Sequence, residues 1–489
     1  MNFKLSRYGI IPLLSTTAIT FSASAKQASK DKPNVILILS DDHSFPHVGC
    51  YDDVNVLKYN ITPNLDAFAK QGLRFERAYT TSPQSAPSRT SMFTGCSPVN
   101  IGVTRFYEPP RKEVPFFTDI LRKSGYWVGL AGRSHHLDGP PESVDPFVYE
   151  VLKTEGMVNV VSRFDWVSMF STKGKGLAKV PQKFDTILSQ VPKGKPFFLY
   201  FGFNQPHRDF ENDFEEIDPN QLVLPPDFVD LPEVRRDYAR YLSDLREMDL
   251  GFGYLMKVLE DRKLTKNTIV IFIGDNGESL LRGKGTVNGR GIHVPLIVRF
   301  PGVTQPNTST KTLVSGEDIA PTILDMAGLK FKTAINGQSF GNTIKAVEAT
   351  NKREYVFAER GYHNGPLTRT DGYDLSRSIT SDRYHFIYNV LPRQKFVPVD
   401  MVYTKAWDDI VIENDENRLS KLLQDFYFYK ERPVFELYDL QNDPFELNNL
   451  AGKPEHSAIE KTLREEMERK MLIDHDFVPL PVHVIRNSK

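Results

Sequence analysis

The chain has 489 residues with a formal net charge of −1, 40% of them hydrophobic and 25% charged, which suits a large folded domain with a smaller appendage. So balanced a charge excludes a polycationic surface for nucleic acid or anionic membrane, so any anionic ligand must be met by local positive charge. Cys50 and Cys96 are the only cysteines: one disulfide is allowed, a disulfide scaffold is not.

In chain order, Lys4 and Arg7 precede an apolar stretch from Tyr8 to Phe21 and then Ala23-Ser24-Ala25. This pattern predicts an export signal over residues 1–25, cleaved before Lys26. No cysteine follows that point as a lipid anchor, and no later run approaches the ~20 apolar residues of a membrane span. The mature protein is expected to be soluble, exported and periplasmic. Asn34 to Leu39 (NVILIL) predicts a buried strand. Thr62-Pro63 then caps a short helix carrying Leu65, Phe68 and Ala69 at helical spacing, which Gly72 ends. Further strands are predicted at Tyr126–Ala131, Pro196–Phe203, Thr268–Ile273 and Pro295–Phe300. Between the third and fourth strands of the series, Val234 to Leu259 places Tyr241, Leu242, Leu245, Met248, Leu255 and Leu259 on roughly one face, a long core-facing helix. Such alternation predicts an α/β fold, a mixed sheet with helices on both faces. A strand is expected near Tyr355–Glu359. Beyond about residue 375 the character changes to short aromatic-rich segments, Tyr384–Val390 and Phe435–Leu440, with a closing helix at Ser457–Leu472. The expected division is a catalytic domain over 26–375 and a C-terminal α+β subdomain with a small antiparallel sheet over 376–489.

Ligands of open α/β sheets sit beyond the carboxyl ends of the strands. Asp41 and Asp42 follow the first predicted strand, Arg133 and His135 the second, His207 the third, Asp275 and Asn276 the fourth. Three carboxylates and an amide are hard oxygen ligands that suit calcium or magnesium rather than zinc. Singly, each has a plainer reading: Asp-Asp as a cap or turn, a lone histidine as structural, Asp-Asn-Gly as a turn. Their coincidence at four strand ends favours a site.

Ser85-Ala86-Pro87-Ser88-Arg89, followed by Thr94-Gly95, could by itself be a proline-containing loop feeding a helix. It matches C/S-x-P-S-R-x-x-x-x-T-G, and on this motif the chain resembles the formylglycine-dependent sulfatases, serine type. Asn34–Asp42, Thr62-Pro63-Asn64-Leu65-Asp66, Gly274–Gly277, Gly291–Ile297 and Glu436–Leu440 with Asp443-Pro444 extend the resemblance over most of the chain. It implies an alkaline-phosphatase-like fold and Ser85 oxidised to formylglycine (3-oxoalanine). It also implies one Ca2+ held by Asp41, Asp42, Ser85, Asp275 and Asn276. Arg89 and Lys284 would neutralise sulfate oxygens and orient the hydrated aldehyde, Arg133 would act at the nucleophile, and His135 and His207 would act as base and acid in an order left open. The family's G-K-x-H is here Gly132-Arg133-Ser134-His135, and arginine is planar and bulkier than lysine. Met92 replaces a family leucine within the maturation motif. Serine at position 85 implies an anaerobic sulfatase-maturating enzyme as partner. Pro196–Arg208, the helix from Tyr238 and Tyr384–Asp400 look most like the branch that removes N-sulfate from glucosamine of heparan sulfate, with His363 as a candidate substrate contact. An O-sulfatase acting on N-acetylglucosamine or galactose of host glycans, a phosphoesterase using unmodified Ser85, and a non-catalytic glycan-binding protein remain alternatives.

Overall fold

The computed structural model describes residues 32–133, 136–157, 160–210, 216–347, 353–363 and 374–481. The expected export signal and His135 lie outside them. The first ten strands are β1 (Asn34–Ser40), β2 (Leu73–Phe75), β3 (Ala78–Tyr79), β4 (Trp127–Gly132), β5 (Trp166–Met169), β6 (Phe197–Gly202), β7 (Thr268–Gly274), β8 (Leu296–Arg299), β9 (Thr308–Thr310) and β10 (Val314–Ser315). Eight of them form one sheet in the spatial order β5-β4-β6-β1-β7-β8-β2-β9. β5, β4, β6, β1 and β7 run parallel, and β8 turns antiparallel to both β7 and β2.

The NVILIL run is central because all but its first side chain are apolar. Successive strand residues point to opposite faces, so Val35, Leu37 and Leu39 enter one core with Met92, Phe93 and the apolar face of the Ile319–Met326 helix. Ile36 and Ile38 enter a second core with Tyr241, Leu245 and Met248 of the Pro232–Asp261 helix. A strand buried on both faces requires helices on both sides of the sheet, and this one has them.

β11 (Val356–Arg360), β12 (Ser376–Thr380), β13 (Tyr384–Asn389) and β14 (Phe435–Asp439) form a second, antiparallel sheet. The Ser457–Ile473 helix covers it, packing Leu463, Met467 and Met471 onto Ile379, Phe386 and Leu437. This is the small C-terminal sheet-and-helix unit expected from the aromatic-rich segments. Its first strand precedes residue 375: Ala358 pairs with Ser378, so the sheet reaches back across the expected boundary. Cys50 and Cys96 are both free thiols. No helix among the described residues is long and apolar enough to cross a membrane.

Candidate active site

The carboxyl ends of the four central parallel strands are level. Gly132 pairs with Gly202, Leu39 with Gly202, and Ser40 with Gly274. Gly132 has to be glycine where the strands close on each other: a Cβ there, at φ +82°, would lie 2.1 Å from the Gly202 carbonyl oxygen. The chain leaves the sheet there, and Asp42 turns through the left-handed region at φ +60°. Asp41-Asp42, Arg133, Asp275-Asn276 and, a few residues on, His207 thus reach one edge of the sheet.

Ser85 and Arg89 arrive from elsewhere. Ser85 opens the Ser85–Thr94 helix, and Arg89 follows four residues later on the same face. Both are buried, Ser85 at 1% exposure. The Ser85 Oγ lies 3.1 Å from Asn276 Oδ1 and 3.5 Å from Asp41 Oδ1. Arg89 bridges two carboxylates, donating from Nη2 to Asp41 Oδ2 at 2.9 Å and from Nε to Asp275 Oδ2 at 2.9 Å. Its Nη1 donates to the Tyr200 hydroxyl at 3.1 Å. Arg133 also pairs with Asp41 Oδ2. Lys284 Nζ lies 3.0 Å from Asp42 Oδ2 and 2.7 Å from Asp400 Oδ2. His207 Nε2 stands 3.8 Å from Asp42 Oδ2 and 4.0 Å from Asp400 Oδ2.

These neighbours set the charge states. Burial would raise the Asp41 carboxyl, but Arg133 and Arg89 hold it well below the usual carboxylate range. Burial, with Asp41 and Asp400 nearby, pushes Asp42 up to about 6 against the pull of Lys284. Burial and Asp41 likewise raise Asp275. Burial and the Lys284 charge lower His207 to about 4 and the buried His363 to about 3.

The donor set fits a hard divalent cation. Asp41 Oδ1 and Asn276 Oδ1 both face the Ser85 hydroxyl, which has one hydrogen and can satisfy only one of them at a time. Asp41, Asp42 and His207 each bring a ligand-type atom to within 4.8 Å of the others. A cation among these oxygens would relieve the crowding of acceptors, and oxygen-rich surroundings are those of calcium or magnesium.

Of the residues singled out in the sequence, Asp41, Asp42, Ser85, Arg89, Arg133, His207, Lys284, Asp275 and Asn276 come together. His363 is buried close enough to Lys284 and Asp400 for their charges to act on it. Two members of the cluster have no motif to announce them. Tyr200 lies in an apolar strand. Asp400 closes Tyr384–Asp400, a stretch notable in the sequence for its family likeness but without spacing that marks the aspartate. Its backbone, at φ +62°, is the local sign that position 400 is constrained.

Residues 33–329 match the family model described as sulfatase. The chain belongs to the sulfatase family. Residues 277–401 and 415–472 of this sulfatase also match the model described as N-sulphoglucosamine sulphohydrolase, C-terminal. It is a hydrolase of sulfate esters or sulfamates. An ulvan-active sulfatase of Formosa agariphila is 30% identical to it over 90% of this chain and 80% of its own length. The N-sulphoglucosamine sulphohydrolase of Homo sapiens is 25% identical over 91% of this chain and 90% of its own. Among solved structures, one in complex with its substrate D-glucosamine-2-N,6-O-disulfate superposes with a TM-score of 0.64 at 18% identity, covering 92% of this chain and all of that one. The phosphonate monoester hydrolase of Agrobacterium radiobacter gives 0.69 at 18% identity, covering 90% and 96%. Both likenesses place the sulfatase in the alkaline-phosphatase-like fold.

Proposed function

We propose that this sulfatase hydrolyses the N-sulfate of glucosamine at the ends of heparan-type glycosaminoglycan oligosaccharides, after oxidation of Ser85 to formylglycine by an anaerobic maturating enzyme. The observation that carries the reading is the position of the Ser85 Oγ, buried between Asp41 Oδ1 and Asn276 Oδ1 beside Arg89, Arg133, Lys284 and His207. The preference for nitrogen is supported by the C-terminal family match, which runs through Lys284 and Asp400, and by the human N-sulphoglucosamine sulphohydrolase relative.

Hydrolysis needs a nucleophile, neutralisation of the transferring group and a proton for the leaving atom. Residue 85, once oxidised and hydrated, offers a hydroxyl that serine lacks, one able to release sulfate and regenerate the aldehyde. A calcium ion held by Asp41, Asp42, Asp275, Asn276 and residue 85 would supply Lewis-acid stabilisation of a sulfate oxygen and acidify the attacking hydroxyl. Arg89 fixes Asp41 and Asp275 in place and, with Arg133 and Lys284, brings positive charge to the sulfate oxygens. His207 is the proposed proton donor to the leaving atom, and His135 the base that acts on residue 85. The export signal over residues 1–25 would deliver the enzyme to the periplasm, where such oligosaccharides are met.

A second reading, removal of O-sulfate from carbohydrate, is favoured by the ulvan-active relative, which at 30% identity stands above the human enzyme at 25%. Peptide mass spectrometry across residue 85 after co-expression with an anaerobic maturase, then sulfate release from N-sulfated and O-sulfated glucosamine, separates the possibilities. Loss of two hydrogens at Ser85 with release from the N-sulfated sugar is the expected result. Release from O-sulfated sugar alone selects the second reading. An unmodified Ser85 with phosphatase activity overturns both.

A further inference from the structure

Asp400 puts a carboxylate where a sulfate-binding pocket has least use for one. Its Oδ2 is 2.7 Å from Lys284 Nζ and 4.0 Å from His207 Nε2. Among the described residues its Oδ1 accepts no hydrogen bond, and the side chain is 31% exposed while Asp41 and Asp42 are fully buried. The buried His363 lies near the same carboxylate, and its own Nε2 has no hydrogen-bond partner among the described residues. The backbone of Asp400 is held at φ +62°, ψ −36°, and its side chain makes no cap bond to the 3-10 turn it opens. Constraint of this kind at a polar residue facing a site points to a ligand-directed role rather than a local structural one.

A carboxylate here, even with Oδ2 paired to Lys284, would repel a sulfated sugar unless the sugar presents a hydrogen-bond donor to it. A sulfate ester cannot do so at the scissile position, because the bridging oxygen carries lone pairs and no hydrogen. A sulfamate can, because its bridging nitrogen keeps one hydrogen. In hydrolysis of R–NH–SO3− by one water, the N–S bond breaks with its electron pair going to nitrogen and a new S–O bond forms. Nitrogen gains two protons, leaving R–NH3+ and SO4^2−. The donor facing the carboxylate thereby becomes a cation, and hydrogen bonds to a charged partner are among the strong ones.

We infer that Asp400 is the specificity residue that selects a leaving nitrogen over a leaving oxygen, its carboxylate accepting the sulfamate N–H and then the product ammonium beside His207. This rests on the N-sulfatase reading above and names the group that enforces it. Lys284 orients the carboxylate through Oδ2 and leaves Oδ1 for the sugar.

The test compares matured wild type with Asp400→Asn and Asp400→Glu on N-sulfated and 6-O-sulfated glucosamine. Binding of glucosamine and of N-acetylglucosamine to the unmatured, calcium-loaded protein is measured alongside, so that the result does not depend on conversion of Ser85. The inference expects Asp400→Asn to lose roughly tenfold or more in kcat/KM on the N-sulfated sugar, with a smaller change on the ester, and to lose preference for glucosamine over N-acetylglucosamine by a similar factor. Asp400→Glu should recover part of both. If the wild type favours the N-sulfated sugar and Asp400→Asn keeps that preference, the inference falls while the N-sulfatase reading stands. If the wild type releases sulfate only from the ester, both fall. A uniform loss on both substrates with a lowered melting temperature, unchanged glucosamine selectivity and no recovery in Asp400→Glu would mark Asp400 as structural and overturn the inference.

Discussion

Arg89 holds Asp41 and Asp275 on one guanidinium with all three side chains out of water. Removing one partner of a buried ion pair leaves a charge without compensation, which costs about 3–5 kcal/mol. Arg89→Met should lower stability by about that amount in urea titration, and calcium should recover part of the loss by taking over the neutralisation of Asp41. A loss under about 1 kcal/mol would mean that the cluster is hydrated rather than closed. The metal site has a direct test on the unmatured protein. Calcium at ~100 times its dissociation constant should raise the unfolding free energy by about 2.7 kcal/mol, and Asp42→Asn should reduce the response. Denaturation midpoints that ignore calcium and chelator alike would remove calcium from the account. Most of these residues were legible because each follows an apolar run or sits in a recognisable motif. Asp400 was not, because what brings it to Lys284, 116 residues earlier, is tertiary packing, and no local pattern encodes that.

At the scale of elements, the level strand ends depend on Gly132 and Gly202. Gly132→Ala combines a left-handed φ with a Cβ 2.1 Å from a carbonyl oxygen, so it should cost more than about 1 kcal/mol and displace Arg133 from Asp41. A variant with unchanged melting temperature and unchanged kcat/KM would show that the strand ends can part without consequence. The C-terminal sheet is joined to the helical turn at Gly289 by Glu446, which accepts from His385 Nδ1 at 2.6 Å, from Asn288 Nδ2 at 2.8 Å and from the Gly289 amide. Burial alone would raise this carboxyl, but His385 and Arg282 bring it down to about 2 from an ordinary 4.5. A depressed carboxyl stabilises the fold above its unfolded value and stops doing so as pH falls through its folded value. Glu446→Gln should therefore lower stability at neutral pH and flatten the acid limb between pH 4.5 and about 2. Parallel pH–stability curves for variant and wild type would rule this linkage out. The strands and helices named from the sequence were placed to within a residue or two because their apolar runs are uninterrupted, whereas short or polar strands such as β5 and β12 gave no such run. The pairing of β11 with β12 was less readable, since an alternating strand does not name its neighbour.

Over the whole molecule, the described residues from Pro33 to 481 form one compact unit, with Asp400, on the connection after β13, meeting Lys284. A chain ended at residue 375 would keep β11 but lose its partner strands and the covering helix. It should fail to accumulate as folded protein and should bind no glucosamine. Soluble, calcium-responsive protein from that truncation would show that the first part folds alone. The large-scale plan was legible from the order of buried strands and helices, whereas strand order within the sheet was not, because parallel pairing joins residues far apart in sequence. That order bears on the timing of synthesis. β1 is flanked by β6 and β7, whose paired segments begin at Phe198 and Thr268, so the apolar NVILIL segment emerges long before either neighbour exists. A nascent chain in that condition invites chaperone capture, and in the same interval Ser85 stays open to any enzyme acting on it, an access that folding then closes.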